Sequence, residues 1–191
     1  MTFPAAIQAI DESILARARD TPPRVADFFW VLTKIGGGWG LVTAIPFLFR
    51  AATRPFAVGL FAAEVAQSAL VTLVKEIVSR PRPCDALGWC PAVIVSSPGG
   101  PSFPSGHACG TFTFAVFVAT LYPRLAIGLL PLAALVAWSR CVLSVHYPSD
   151  VAVGAVLGSL IGYGFAKLCI GRFGRPNLQP VALDRAGGAP P

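Results

Sequence analysis

Long apolar runs constrain this chain more than any other feature. Several runs of about 17 to 24 residues match the length that a helix needs to cross roughly 30 Å of hydrocarbon. Of the 191 residues, 54% are hydrophobic and only 13% are charged, about half the charged fraction of an average soluble domain. The pattern predicts a membrane protein and argues against a water-soluble enzyme.

The apolar runs predict five membrane-spanning helices. The predicted spans are Phe28 to Phe49, Phe56 to Ser79, Gly106 to Tyr122, Leu125 to Val145 and Val151 to Ile170. The second ends before Pro81 and Pro83, because proline cannot continue a helix. The last carries Gly154, Gly158 and Gly162 at four-residue spacing, which is typical of a close helix contact in membranes. The predicted fold is therefore all-α, an integral membrane helical bundle with about five transmembrane helices.

Two flanking segments differ from this membrane domain of residues 28–171. Residues 1–27 predict an amphipathic helix lying in the membrane interface. Its apolar stripe consists of Ile7, Ile10, Ile14 and Ala18. Asp11 and Glu12 interrupt the apolar stretch, so no cleaved signal peptide is expected. Residues 172–191, without periodicity, predict a disordered tail.

Charge distribution gives an orientation. The 15 Lys and Arg residues produce a net charge of +6 but are spread along the chain, so no nucleic-acid partner is expected. Five spans place the connector of residues 80–104 and the turn at residues 146–150 on one side. The arginines on the other side are Arg50, Arg54, Arg124, Arg172 and Arg175. By the positive-inside tendency that side is cytoplasmic, so the connector is expected to face outward from a bacterial inner membrane.

Three polar clusters fall at span ends on the connector side. The first is Lys75 with Arg82-Pro83, the second is Pro104-Ser105-Gly106-His107, and the third is Ser139-Arg140 followed by His146 and Asp150. The second cluster opens a helix, where free backbone N–H groups and the helix dipole favour an anion. Together they predict a net-positive pocket at the membrane boundary, which suits a phosphate.

A metal site is the alternative for His107, His146 and Asp150, because two imidazoles and a carboxylate can bind a metal ion. The three nearby cations would repel a divalent ion, whereas they would stabilise a phosphoryl group. We therefore expect neither a metal nor another cofactor.

The combined pattern resembles the signature of the type 2 phosphatidic acid phosphatases. The matching motifs are Lys75-x6-Arg82-Pro83, Pro104-Ser105-Gly106-His107 and Ser139-Arg140-x5-His146-x3-Asp150. The resemblance implies that His146 is a nucleophile that forms a phosphohistidine, that Asp150 orients it, and that His107 serves as general acid and base. It also implies a phosphate-binding set made of Lys75, Arg82, Ser105, Gly106 and Arg140.

The implied activity is hydrolysis of a lipid phosphate or diphosphate, such as phosphatidic acid, phosphatidylglycerol phosphate or a prenyl diphosphate. The lipid part follows from a site at the bilayer boundary, where an acyl or prenyl chain can stay in hydrocarbon. Two alternatives remain: phosphotransfer to an alcohol, and a non-catalytic protein that binds anionic lipids. The oligomeric state is left open.

Other polar residues carry weaker expectations. A disulfide between Cys84 and Cys90 is feasible outside the cytosol. Glu64 lies inside a span, either as a buried carboxyl between helices or as a polar group below the pocket. Arg80 and Asp85 either shape or shield the mouth of the pocket or are solvated loop charges, and the second is expected.

Overall fold

The computed structural model of the chain describes residues 3–36, 39–91 and 99–176. Over these ranges the regular secondary structure is helical, which confirms the all-α prediction. The α-helices are α1 Ala5–Arg19, α2 Pro23–Gly36, α3 Trp39–Val42, α4 Ile45–Leu48, α5 Arg54–Val78, α6 Pro83–Leu87, α7 Gly106–Leu121, α8 Ala126–Val142 and α9 Pro148–Phe173. Residues 177–191, which make up most of the predicted tail, lie outside the described residues.

Four of the predicted spans correspond to helices. By length and composition, the helical segments Arg54–Leu87, Pro123–Val142 and Pro148–Phe173 can each cross a membrane, and Gly106–Leu121 is a shorter apolar helix. Large apolar side chains, including Val65 and Ile127, are exposed on their outer surfaces. Exposed apolar surface of this extent is typical of a protein that contacts lipid, and the chain is an integral membrane protein.

The first predicted span is not one helix. Between Phe28 and Phe49 the described residues form α2, which ends at Gly36, followed by the short helices α3 and α4. Among the described residues the break lies at Thr43 and Ala44, between the end of α3 and the start of α4. Pro46 lacks the backbone N–H that a continuous helix would need at this position, so α3 does not extend into α4.

Glycine allows α7 and α9 to pack against each other at very short range. A methyl group at Gly158 would overlap the carbonyl oxygen of Cys109, and one at Gly162 would overlap that of Thr113. The hydroxyl of Thr113 also donates a hydrogen bond to the carbonyl of Gly158, at 3.2 Å. The predicted small-residue contact is therefore present, and it sets the position of both helices.

The two ends of the bundle differ in character. An apolar core occupies the end where α7 and α9 finish, and its buried members include Phe56, Leu60, Phe117 and Leu121. We call the opposite end, where α5 and α8 finish and α7 and α9 begin, the site end. Polar side chains are buried there: Arg80, Arg82, Ser102, Ser105, Ser139, Arg140, Ser144, His146 and Asp150.

Helix α1 packs against α8 and α9 at the site end. Its buried face carries Asp11, Leu15 and Ala18, whereas Ile7 and Ile10 are exposed. Of the predicted apolar stripe, Ala18 is buried and Ile14 is half-buried near Trp138 of α8, so only part of the stripe faces the bundle. Burial of Asp11 is the reason, because its carboxylate binds Arg80 and the backbone N–H of Ser149.

Candidate active site

Helix ends bring the predicted side chains together. Lys75 lies in the last turn of α5 and Arg140 in the last turn of α8, while Asp150 lies in the first turn of α9. Helix α7 packs against all three of these helices. Residues distant in sequence therefore meet at the site end, and His146 lies in the turn between α8 and α9.

The two ring nitrogens of His146 face groups of opposite charge. Nδ1 lies 3.6 Å from Oδ2 of Asp150, which is beyond hydrogen-bond distance, and among the described residues it has no hydrogen-bond partner. Nε2 lies 3.4 Å from Nη1 of Arg82. This environment favours a proton on Nδ1, toward the carboxylate, and a free lone pair on Nε2.

The imidazole of His146 is buried at the site end. Burial is the largest influence and lowers the pKa of His146 to about 4. The neighbouring Asp150 opposes this shift in pKa, whereas Arg140 and Arg82 add to it. A histidine with so low a pKa is neutral at pH 7 and can act as a nucleophile.

Arg82 is anchored by backbone carbonyls. Its Nε donates to the carbonyl of Gly100 at 3.0 Å, and its Nη1 donates to that of Val145 at 2.9 Å. Lys75 similarly donates from Nζ to the carbonyl of Pro101. Carbonyls orient these cations without neutralising them, so their charge stays available to an anion.

Arg140 has a buried donor that no described residue satisfies. Its Nη1 donates to Oγ1 of Thr33 on α2, at 2.7 Å. Its Nε is buried and has no partner among the described residues. Buried donors are nearly always satisfied in native proteins, and a bound anion at the site end would satisfy this one.

The start of α7 contributes a helix N-terminus. Ser105 is the N-cap, and its hydroxyl accepts from the backbone N–H of Ala108. The backbone N–H of Ser105 donates to the carbonyl of Asp150 at 3.0 Å, which fixes this N-terminus against α9. Gly106 and His107 follow as the first residues of the helix, where the dipole favours negative charge.

All eight predicted site residues therefore lie at the site end. His107 is close enough to His146, Arg140 and Arg82 for direct electrostatic interaction. Lys75 interacts in the same way with Arg82 and Arg140. Within the described part of the chain, no three His, Cys, Asp or Glu side chains are grouped so that they could hold a metal ion.

The expectation for Arg80 was wrong. Its side chain is buried and forms ion pairs with Asp11 at 2.8 Å and with Asp150 at 2.6 Å. Asp85 is exposed as expected, but it lies in the first turn of α6 and not in a loop. Both acidic partners lie about 70 positions away in sequence, so no local pattern could reveal the pairing.

Sequence reasoning also missed contributions from α2. Thr33 holds Arg140, and Lys34 interacts electrostatically with His107. Lys34 is exposed and lies above the ring of Trp30. Both residues lie inside the first predicted span, and the signal that could have indicated them is the charge of Lys34 within an apolar segment.

The structure defines both the pairing of Cys84 with Cys90 and the surroundings of Glu64. Cys84 and Cys90 are joined by a disulfide. Glu64 is half-buried and accepts a hydrogen bond from Gln67 at 3.0 Å, and both side chains pack beside Gly110. Glu64 therefore lies at the interface of α5 and α7, one turn of α7 beyond His107.

A helical membrane bundle with a cationic site at its helix ends is thus the class of protein that the fold defines. Residues 56–172 match the family model of the PAP2 superfamily, and the chain belongs to that family. This confirms the resemblance drawn from the three motifs.

Curated relatives are phosphatases of lipid-linked phosphates. A decaprenylphosphoryl-5-phosphoribose phosphatase of Mycobacterium tuberculosis is 45% identical over 96 residues, which are 49% of this chain and 50% of that protein. An undecaprenyl-diphosphatase of Sulfolobus acidocaldarius is 32% identical over 128 residues, covering 65% of this chain and 60% of that protein. The chain thus spans about half the length of the former and somewhat more of the latter.

Solved structures share the fold. A PAP2-type phosphatidylglycerolphosphate phosphatase from Bacillus subtilis has a TM-score of 0.72 at 22% identity, over 88% of each chain. LpxE of Aquifex aeolicus has a TM-score of 0.65 at 26% identity, over 81% of this chain and 93% of that chain. The described helices are therefore arranged as in other membrane PAP2 proteins.

Proposed function

We propose that this protein is a membrane phosphatase that hydrolyses the phosphomonoester or diphosphate of a lipid through a phosphohistidine on His146. The observation that carries the proposal is the environment of that ring, with a carboxylate 3.6 Å from Nδ1 and a guanidinium 3.4 Å from Nε2. Binding an anion requires only positive charge, whereas an oriented neutral imidazole is what nucleophilic attack requires.

In the first step, Nε2 of His146 attacks the phosphorus atom. A nitrogen–phosphorus bond forms while the bond from phosphorus to the lipid oxygen breaks. His107, protonated once the negative charge of the bound phosphoryl group offsets the surrounding cations, gives its proton to the departing oxygen. Positive charge develops on the ring of His146, and the carboxylate of Asp150 beside Nδ1 stabilises it.

In the second step, water hydrolyses the phosphohistidine. His107, now neutral, removes a proton from the water as it attacks phosphorus. The nitrogen–phosphorus bond breaks, and its electron pair returns to Nε2 of His146. Inorganic phosphate leaves, and His107 carries the proton needed for the next cycle.

The cations bind the non-bridging oxygens of the phosphoryl group in both steps. Phosphoryl transfer is mainly a problem of positioning and charge stabilisation. Arg82, Lys75 and Arg140 supply positive charge, and the N-terminus of α7 at Ser105 and Gly106 supplies backbone N–H groups. The proposed reaction uses no metal ion, because these groups carry out the charge stabilisation that a metal would otherwise provide.

The proposed substrates are prenyl-linked or glycerolipid phosphates. Names of the relatives support this class, since they refer to decaprenylphosphoryl-5-phosphoribose and undecaprenyl diphosphate. Exposed apolar helix surfaces beside the site end would keep the lipid chain in hydrocarbon. We propose further that the site faces outward from a bacterial inner membrane, as the arginine distribution favours.

Phosphate release from purified protein in detergent tests the proposal. The panel contains prenyl phosphates and diphosphates, phosphatidic acid and phosphatidylglycerol phosphate, each assayed with EDTA present. We expect release from at least one prenyl or glycerolipid substrate, undiminished by EDTA. Phosphate bound without release from any member of the panel would favour the anionic-lipid-binding alternative.

The two histidines of the chain provide matched variants for the mechanism. A radiolabelled diphosphate should label the His107→Gln protein, because its leaving phosphate group needs no proton, while hydrolysis of the intermediate without His107 is slow. The His146→Gln protein should acquire no label. Adding a simple alcohol separates hydrolysis from phosphotransfer, since a transferase would place the label on the alcohol.

A further inference from the structure

The side chain of Arg80 connects α1 to the carboxylate beside His146. Its Nη1 donates to Oδ1 of Asp150 at 2.6 Å, and its Nη2 donates to Oδ2 of Asp11 at 2.8 Å. The side chains of Arg80 and Asp11 are each 3% exposed, and that of Asp150 is fully buried. One guanidinium is therefore shared by two buried carboxylates from different helices.

Two aromatic rings contact the guanidinium of Arg80. The ring centroids of Phe3 and Tyr147 lie 3.6 Å and 3.7 Å from its central carbon. Cation–π contacts at these distances favour arginine over lysine, whose ammonium cannot stack. Arg80 is thus fixed by α1, by α9 and by its own place after α5.

Asp11 also binds the first turn of α9. Its Oδ1 accepts from the backbone N–H of Ser149 at 2.9 Å, and its Oδ2 accepts from the hydroxyl of Ser149 at 2.5 Å. A carboxylate in this position satisfies a free N–H group at a helix N-terminus. Asp150 follows directly in the chain, so α1 fixes the turn that carries the carboxylate.

We propose that Asp11 and Arg80 are positioning residues, through which docking of α1 holds Asp150 with Oδ2 toward Nδ1 of His146. This inference rests on the proposed function, because it concerns the rate at which His146 attacks phosphorus. Oδ1 of Asp150 is bound by Arg80, and Oδ2 accepts from the backbone N–H of Tyr147 at 2.9 Å. The second oxygen is the one 3.6 Å from the imidazole.

The charge of Asp11 influences His146 through Arg80 and Asp150. Two carboxylates and one guanidinium carry a net charge of −1, which favours positive charge developing on His146. Without the charge of Asp11, Arg80 alone neutralises Asp150 and the net charge becomes zero. Attack by His146 should then slow, while substrate binding by Arg82, Lys75 and Arg140 remains unchanged.

Asp11→Asn tests the role of α1. We expect the rate constant for labelling of the enzyme, measured by rapid quench, to fall about 10-fold, as is common when the group that orients a reactive residue is altered. KM should stay within about twofold, because Asp11 does not contact the phosphate site. Asp20→Asn is the matched control, since Asp20 ends α1 and is exposed; its rate constant should equal that of the wild type.

The Arg80→Lys variant, and the double variant that combines it with Asp11→Asn, test whether Asp11 acts through Arg80. Lysine keeps the charge but cannot stack on the two rings or bind two carboxylates in the same geometry. If Asp11 acts through Arg80, the double variant should be slowed by much less than the product of the two single effects. Multiplicative effects would show that the two residues act independently and would overturn the proposal.

The rate constant of labelling distinguishes a positioning role of Asp11 from a role in folding stability alone. If Asp11→Asn lowers only the amplitude of labelling, through a smaller folded fraction, with an unchanged rate constant, Asp11 is merely structural and the inference is wrong. If the variant behaves as the wild type in rate and KM, the inference is wrong while the proposed function stands. If the wild-type protein acquires no label from any substrate, the proposed function itself fails, and this inference with it.

Discussion

Nη1 of Arg82 lies 3.4 Å from Nε2 of His146 and donates to the carbonyl of Val145 at 2.9 Å. The guanidinium is thereby held beside the lone pair that we propose attacks phosphorus. A phosphoryl group arriving at Nε2 would place its oxygens next to the remaining N–H groups of Arg82. These contacts predict that activity depends on the planar guanidinium of Arg82 and not on its charge alone.

Arg82→Lys should lower kcat/KM for phosphate release by about 100-fold, as removal of one oriented donor from a transition state commonly does. Lysine retains the charge but cannot bond the carbonyls of Gly100 and Val145 while facing His146. Arg124→Lys, at an exposed position in the turn before α8, is the control and should leave kcat/KM unchanged. Equal activity of the two variants would contradict the role given to Arg82.

The low pKa of His146 predicts the pH dependence of its phosphorylation. Burial lowers the pKa from 6.5 to about 4, so the reactive neutral ring persists as pH falls from about 7 to about 5. The rate of labelling by rapid quench should decline only as pH approaches 4. A decline centred near 6.5 would show an exposed, unperturbed imidazole instead.

Asp150→Asn should move this acid decline to still lower pH. The carboxylate raises the pKa of His146, and its loss therefore makes protonation of the ring harder. Labelling at neutral pH should nevertheless be slower, because positive charge on the ring is no longer stabilised. An acid decline shifted to higher pH would contradict the arrangement.

Gly158→Ala should destabilise the bundle by about 3 kcal/mol, near the upper end for overpacking, because the new methyl group meets backbone and not a mobile side chain. Gly164→Ala on the same helix is a matched control, since nothing lies within 4 Å of its added methyl group; alanine there should be neutral or stabilise by up to about 1 kcal/mol. Thermal unfolding in detergent measures both. Similar unfolding temperatures would show that α7 and α9 do not pack closely at Gly158.

The disulfide predicts a thiol count. Protein unfolded without reductant should show three reactive thiols, from Cys109, Cys141 and Cys169, and reduction should raise the number to the five cysteines of the sequence. In the folded protein all three free thiols are buried and should react slowly. Five thiols without reductant would mean that Cys84 and Cys90 are unpaired.

Most of the membrane architecture could be predicted from local sequence, because the length and apolar character of a span depend on its own residues. Helices α5, α7, α8 and α9 match their predicted bounds to within a few residues at most ends. The segment from Phe28 to Phe49 could not be predicted in this way. Its apolar character predicts a span, but α3 ends at Val42 and α4 begins at Ile45, since Pro46 cannot continue the helix, and hydropathy does not register that effect.

The sequence by itself determined the class of the fold and the chemical make-up of the site, since helical spans and the spacing of motifs at their ends are properties of short segments. Only the tertiary structure decided which of the remaining charges are buried and paired. Arg80 and Asp11 resemble ordinary surface charges in the sequence, yet both are buried beside Asp150. Their pairing depends on how α1 packs against α9, and such a contact between distant helices has no local signal.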